Sequence, residues 1–160
     1  MKQITIIVIS LICLILHGEG GYIYNGDLNG DGIADKIESG PSWTFGTGGG
    51  SFVVTINGKA TQQAYAIGGK PYFALEKIPT GKMRLWSYWH MSSQEGVLTS
   101  YMFTKKGLKQ ENITINPGDG GTDLGNAIMK AVFNEKNLIK LKKVKDYTIP
   151  PNPSGLAWGE

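Results

Sequence analysis

The sequence predicts a mainly β protein, either an antiparallel sheet or sandwich or a set of propeller-like blades, with one α-helix towards its C-terminal end. Beyond residue 20, apolar and polar residues mostly alternate with a period of two, the pattern of half-buried strands. Glycine-rich turns interrupt the alternation, and only one later stretch has apolar residues at helical spacing.

Seven runs carry the strand pattern. The clearest is β-branched and ends at Asn57-Gly58, the strongest short hairpin signal. The predicted strands are Tyr22–Tyr24, Ser51–Ile56, Gln63–Ile67, Tyr72–Ile78, Met83–Met91, Val97–Thr104 and a last one beginning at Ile113–Ile115.

The helix is predicted over Asp123–Phe133. Its apolar residues recur three and four positions apart, and Thr122 or Asp123 can serve as the N-cap. The apolar stripe comprises Leu124, Ile128, Ala131 and Val132. Residues 134–145 could extend this helix, but the two asparagines there argue against it.

The first twenty residues have the features of a signal peptide. Lys2 provides a positive start, and Ile4–Leu16 is an apolar run that is too short for a typical membrane span. An uncleaved anchor is the alternative. We expect a signal peptide at 1–20, one domain at 21–149, an extended tail at 150–160 that exposes Trp158, a periplasmic or secreted location, and no membrane span after cleavage.

Composition narrows the function classes. The net charge is only +3, and Arg84 is the single arginine, so the concentrated basic face of a nucleic-acid-binding protein is not expected. The single cysteine, Cys13, lies in the predicted signal peptide, so a mature domain would have no disulfide.

A twelve-residue stretch from Asp27 to Glu38 carries the strongest chemical signal in the sequence. Calcium prefers six to eight oxygen ligands, and this stretch spaces acidic and amide side chains so that a curling backbone can point them at one centre. The expected Ca²⁺ ligands are Asp27, Asn29, Asp31, the Ile33 carbonyl, Asp35 and Glu38. The alternative is an Asx-rich turn without a metal.

The glycine and proline residues that flank this stretch leave no room for the two helices of an EF-hand. The stretch instead resembles the calcium loop of the FG-GAP or VCBS repeats of secreted and cell-surface β-proteins. The resemblance covers about residues 22–58, a single repeat. It implies a calcium-binding β-rich domain with a structural ion held by the ligands from Asp27 to Asp35.

A second candidate site lies on the predicted strand Met83–Met91. Alternation places Arg84, Trp86, Tyr88 and His90 on one face, and the following loop contains Ser93 and Glu95. These residue types suit a contact surface for a protein or a glycan, whereas packing in the core is the alternative.

No catalytic residues are predicted, and we do not expect an enzyme. His90 has no partner with the spacing of a metal site or of a Ser-His-acid triad.

Short exported proteins with one such calcium loop also resemble the periplasmic immunity proteins and lysozyme inhibitors of Gram-negative bacteria. That resemblance implies a protein partner, a peptidoglycan-cleaving enzyme or toxin. A carbohydrate- or surface-binding module and a calcium-stabilised structural protein are the alternatives.

Overall fold

The computed structural model describes residues 20–46, 49–66, 73–92, 95–104, 107–115 and 123–158. The predicted signal peptide therefore lies almost entirely outside the described residues. Within these ranges the chain forms ten strands and one α-helix, and the mainly β prediction is confirmed. The strands are β1 (Gly21–Gly26), β2 (Asp35–Ser39), β3 (Gly50–Ile56), β4 (Lys59–Ala66), β5 (Phe73–Lys77), β6 (Met83–His90), β7 (Gly96–Thr104), β8 (Gly107–Ile115), β9 (Leu138–Ile139) and β10 (Lys142–Val144).

The strands form two antiparallel sheets of five. The first sheet has the order β10-β1-β2-β3-β4, and the second has the order β8-β7-β6-β5-β9. Neighbours in sequence are neighbours in each sheet except at the ends, where β10 pairs with β1 and β9 pairs with β5. This arrangement corresponds to the sandwich alternative of the prediction.

Tight turns set the register of the hairpins. Asn57 and Gly58 both have positive φ, 50° and 76°, as a type I′ turn between β3 and β4 requires. Between β5 and β6, Gly81 also has positive φ, and its N–H donates to the Ile78 carbonyl at 2.9 Å. The predicted hairpin turn at Asn57-Gly58 is therefore confirmed.

The two sheets share one apolar core. The Phe52 ring on β3 meets the Phe73 ring on β5 edge to face, with centroids 4.9 Å apart. Aliphatic and aromatic side chains complete this cluster: Leu28 from the connection between β1 and β2, Ile37 and Val54 from the first sheet, and Leu85, Tyr101 and Ile139 from the second. The inner face of each sheet is thus apolar, as the period-two pattern predicts.

The helix α1 (Asp123–Val132) forms a third layer on the outer face of the second sheet. Its predicted extent is confirmed to within one residue, and its predicted apolar stripe is correct at Ile128 and Val132, which pack on the sheet, but wrong at Leu124 and Ala131. Leu124 is 68% exposed and Ala131 is also exposed, whereas Gly125 and Val132 are buried. The buried stripe has the same helical period in a different phase, which the sheet beneath it selects.

Other strand boundaries differ from the prediction. The strand β2 was hidden within the acidic stretch, and β8 begins at Gly107 rather than near Ile113. Residues 134–145 do not extend the helix, because the Asn134 side chain donates to the Ala131 carbonyl at 2.6 Å and the chain turns into β9. Ile67, expected at the end of β4, lies outside the described residues.

The C-terminal segment packs against the first sheet, so the expected exposure of Trp158 is wrong. Trp158 is half-buried, its Nε1 donates to the Pro150 carbonyl at 3.0 Å, and its ring lies over Gly40. Tyr147 is buried against Gly21, and its hydroxyl donates to the Ser39 carbonyl at 2.8 Å. Within the described ranges, no helix has the length and apolar character needed to cross a membrane.

Candidate metal centre and contact face

The acidic loop, residues 27–34, connects β1 to β2 at one end of the sandwich. It is anchored by Leu28, whose side chain is fully buried in the core between the sheets. Gly30 and Gly32 have φ of 79° and 85°, a conformation that glycine adopts without strain, and they let the backbone curl. Ile33 at the tip is 55% exposed.

The loop curls around the carboxylate of Asp27. Its Oδ1 accepts from the backbone N–H groups of Gly30 at 2.6 Å and Asp31 at 3.2 Å. Its Oδ2 accepts from the N–H of Gly32 at 2.9 Å. These hydrogen bonds fix the position of the carboxylate within the loop.

Asn29 and Asp31 lie beside each other in the same loop. Asp31 Oδ1 accepts from the Ile33 N–H at 2.8 Å, and its Oδ2 accepts from the side-chain amides of Asn29 at 2.8 Å and Asn57 at 3.0 Å. Donation from Asn57 is the largest cause that lowers the pKa of Asp31, followed by the Ile33 N–H and the Asn29 amide. The carboxylate is therefore held in its charged form.

Asp35 lies at the start of β2 and is only 3% exposed. Its Oδ2 accepts from the Leu28 N–H at 2.9 Å, and its Oδ1 accepts from the Asn57 N–H at 3.0 Å. Asp35 therefore joins the acidic loop to the β3–β4 turn. The sequence pattern identified Asp35 only as a ligand, although its contacts here are those of a structural brace.

Glu38 is not brought to the loop. Strand alternation puts it on the face of β2 opposite to Asp35, and three residues of strand separate the two by roughly 10 Å. Its Oε1 forms an ion pair of 2.7 Å with Lys36. A direct role for Glu38 beside Asp27 would require β2 to unpair from its neighbours.

The loop offers hard oxygen donors from two acids, the half-buried Asp27 and the exposed Asp31, from one amide and from the backbone, which is the ligand chemistry that calcium takes. Among the described residues, no group of three or more histidine, cysteine, aspartate or glutamate side chains stands close enough together to hold a metal ion. Asn57 was missed by the sequence analysis, since its signal there was that of a turn and its contact with Asp31 depends on the packing of two hairpins.

The aromatic face of β6 is covered. Trp86 and Tyr88 are buried under α1 in the outer apolar cluster, so the packing alternative applies to them. Burial raises the pKa of Tyr88. His90 is half-buried and stacks on the Tyr88 ring at a centroid distance of 6.5 Å.

Arg84 is half-buried at the other end of the same face. Its guanidinium lies 5.4 Å from the centre of the Trp86 ring, and its Nη1 lies 3.9 Å from Glu76 Oε2. Glu76 is held in place because the same oxygen accepts from Trp86 Nε1 at 2.9 Å. The face therefore begins as an apolar layer under α1 and ends as a charged cluster beyond it.

The turn after β6 remains at the surface. Glu95 is exposed, and its carbonyl accepts from the N–H groups of Met91 and Ser92 at 2.9 and 3.0 Å. Met91 is exposed beside it. Ser93 lies outside the described residues, so its predicted contact role has no structural account.

An exposed tryptophan that the sequence analysis left out lies between β2 and β3. Trp43 is 62% exposed in the 3₁₀ turn Ser42–Thr44. The turn is rigid because the Thr44 N–H and hydroxyl both donate to the Pro41 carbonyl, and because Phe45 packs edge to face on Phe52. The signal that could have identified Trp43 as a contact residue is a large apolar side chain at the tip of a rigid turn.

Comparisons with models of protein families, with curated proteins and with solved structures give no match to this chain. Functional inference therefore rests on the acidic loop, the covered face of β6 and the exposed turns.

Proposed function

We propose that this chain is an exported, calcium-binding, non-enzymatic binding protein. The observation that carries the calcium proposal is the backbone wrapping of Asp27, which gathers Asn29 and Asp31 beside it on one exposed loop. Charged carboxylates gathered in this way repel one another, and a divalent cation relieves the repulsion.

The residues present fit calcium by their donor chemistry. Asp27, Asn29 and Asp31 supply side-chain oxygens, and Ile33 supplies a carbonyl on the same loop. Asp35 is a ligand directly or through water while it keeps its hydrogen bonds to backbone. We leave Glu38 out of the proposed set because it pairs with Lys36 on the other face of β2.

Bound calcium supplies positive charge that stabilises the loop. The loop touches both sheets, since Leu28 enters the shared core and Gly30 lies near Met83 of β6. Ordering the loop therefore stabilises the folded state as a whole. Calcium at 100 times its dissociation constant would add about 2.7 kcal/mol to the free energy of unfolding.

Thermal unfolding with calcium and with chelator tests this proposal. We expect a higher melting temperature with calcium, and we expect Asp31→Asn to abolish the difference. The matched control is Glu135→Gln, an exposed acid in the turn after α1, which should keep the calcium effect. An equal melting temperature with calcium and with chelator in the unmodified protein would contradict the proposal.

For the partner, we propose a peptidoglycan-cleaving enzyme or toxin that the protein inhibits. The support is the resemblance of short exported calcium-loop proteins to immunity proteins and lysozyme inhibitors. Because Trp86 and Tyr88 are buried, the proposed contact elements are the exposed Met91 and Glu95 of the β6–β7 turn. Apolar and charged residues at such a turn suit insertion into a cleft.

Affinity co-purification from cell-envelope extract, with calcium and with chelator, tests the inhibitor proposal. We expect one hydrolase in one-to-one ratio in the presence of calcium. A tagged Met91→Ala/Glu95→Ala variant should lose it, whereas Leu124→Ala, on the exposed face of α1, should retain it. If no hydrolase is recovered under either condition, the result would contradict the inhibitor proposal.

A glycan-binding module is the second candidate, and Trp43 favours it. An exposed indole on a rigid turn presents a flat apolar face of the kind on which a sugar ring can lie. Binding to purified peptidoglycan that Trp43→Ala removes, without a protein partner, would favour this function. Retention on peptidoglycan by both forms, or by neither, would count against it.

A further inference from the structure

A charged cluster lies on the outer face of the second sheet beyond α1, and the acidic loop has no part in it. We call it the arginine cluster: Arg84 on β6, Glu76 on β5, Met102 on β7, and Lys109 and Glu111 on β8. Arg84 stands opposite Glu76 on one side and Met102 on the other, and Met102 stands opposite Lys109. The strand register thus brings the five side chains together on one face.

The guanidinium of Arg84 has donors that its neighbours leave unused. Nη1 is 3.9 Å from Glu76 Oε2, which is longer than a hydrogen bond. Nη2 donates to Met102 Sδ at 3.5 Å, and a thioether is a weak acceptor. Nε is buried and has no acceptor among the described residues. A buried N–H without an acceptor destabilises the folded state. An acceptor that binds at this edge of Arg84 would remove that cost.

The two carboxylates of the cluster are engaged by other donors. Glu76 Oε2 accepts from Trp86 Nε1 at 2.9 Å, and Glu111 Oε1 accepts from Lys109 Nζ at 2.5 Å. Lys109 is also the main cause that lowers the pKa of Glu111, and Arg84 adds a smaller effect. Both carboxylates are therefore drawn towards donors other than Arg84 Nε.

We propose that Arg84 binds the carboxylate of a ligand through its Nε and Nη2, with Met102 as a movable cover. The Nε–Nη2 edge of a guanidinium presents two parallel donors that match the two oxygens of a carboxylate. Methionine is unbranched and flexible, so its thioether can leave Nη2 at little cost. The Trp86 ring below the guanidinium keeps the charge in place through a cation–π contact.

The charges around Arg84 give a multiply charged ligand no advantage. Two cations and two carboxylates leave the cluster without net charge, so it offers a phosphate dianion no extra attraction over a carboxylate. A free carboxylic acid and the C-terminal carboxylate of a peptide present the same group. The affinity for the ligand would come from the two parallel N–H donors of Arg84, Nε and Nη2, rather than from the net charge of the cluster.

Because Arg84 is the only arginine in the chain, its Nε–H gives a single resonance in a ¹⁵N-labelled sample. The test is a titration of purified protein with sodium acetate, and separately with a dipeptide that has a free C-terminus, each against sodium chloride at equal ionic strength. We expect a saturable displacement of this resonance with either carboxylate and none with chloride. Tighter binding of the dipeptide would identify a peptide as the source, and equal binding would identify a free acid.

Variants give an independent reading of the same site. By calorimetry, Arg84→Lys should bind the carboxylate roughly tenfold more weakly or worse, because lysine cannot form the fork. Absence of displacement at the highest acetate concentration would overturn the proposal. So would equal affinity of Arg84→Lys and of the unmodified protein for the carboxylate, since it would show that the two parallel donors are not used.

Discussion

Among single residues, Asp35 has the most consequential contacts. It is buried, and both of its carboxyl oxygens accept from backbone N–H groups of different segments. A buried carboxylate is tolerated only with such compensation. Its two bonds hold the acidic loop and the β3–β4 turn against the end of the first sheet, and so place Asn57 beside Asp31.

Tyr147 provides a pH-dependent contribution to stability. Burial raises its pKa to about 12 from an ordinary value of 10.0; the Ser39 side chain opposes this rise in part, and the Glu38 carboxylate adds to it. The folded state therefore binds the phenolic proton more tightly than the unfolded state does. The contribution is fully present below pH 10 and is lost as the pH rises towards 12.

We expect the free energy of unfolding to fall by about 2 kcal/mol across this alkaline range. Tyr147→Phe should cost about 1 kcal/mol at neutral pH, through loss of the hydrogen bond, and should remove that part of the alkaline fall. Urea unfolding at several alkaline pH values measures both effects. An alkaline fall of the same size in Tyr147→Phe would show that another group titrates.

At the scale of elements, the β3–β4 turn does more than reverse the chain. The Asn57 backbone N–H donates to Asp35, and its side-chain amide donates to Asp31. The Asn-Gly pair thus determines the turn type and also links the hairpin to the acidic loop.

Asn57→Gly separates these two functions, because glycine tolerates the positive φ and keeps the backbone donor. We expect the hairpin to persist and the pKa of Asp31 to rise towards its ordinary value, since its largest cause of lowering is lost. The stability that the charged Asp31 contributes, which disappears as the pH falls through its folded pKa, should then decrease. An NMR titration that gives Asp31 the same pKa in both proteins would contradict this account.

The helix α1 is bound to the second sheet by one buried stripe. Val132, in the last turn, is buried against the cluster around Trp86, whereas Leu124, in the first turn, is exposed. We expect Val132→Ala to lower the free energy of unfolding by roughly 2 kcal/mol, and Leu124→Ala to change it by less than about 0.5 kcal/mol. Urea unfolding of the two variants measures the difference. Equal effects of the two substitutions would mean that Leu124 is buried as well, as the predicted apolar stripe requires.

At the scale of the whole molecule, three layers pack against one another: the first sheet, the second sheet and α1. The Phe52–Phe73 contact joins the sheets, and Trp86 and Ala74 join the second sheet to α1. We expect one cooperative unfolding transition, with coincident curves from tryptophan fluorescence and from far-ultraviolet circular dichroism. Separated transitions would show that α1 or one sheet unfolds alone.

The local sequence pattern predicts most of the strands and the helix, but it does not predict how these elements pack against one another. The turn at Asn57-Gly58 and the extent of α1 follow from backbone preference and periodicity, which act within a few residues. The strand β2 was not predicted, because its polar residues were interpreted as part of the acidic stretch. The phase of α1, the burial of Trp86 and Tyr88, and the contact of Asn57 with Asp31 depend on segments far apart in the chain, and no local spacing encodes them.

The pairing of β1 with β10 has a consequence for the order of folding. Gly21 stands opposite Val144, and Tyr147 covers Gly21 from the same C-terminal segment. During synthesis, which proceeds from the N-terminus, the first strand therefore remains uncovered until residues near 144 have also emerged. Closure of this non-local pair is slow compared with closure of a hairpin. The first sheet can thus be completed only after the strands of the second sheet, β5 to β9, have been made.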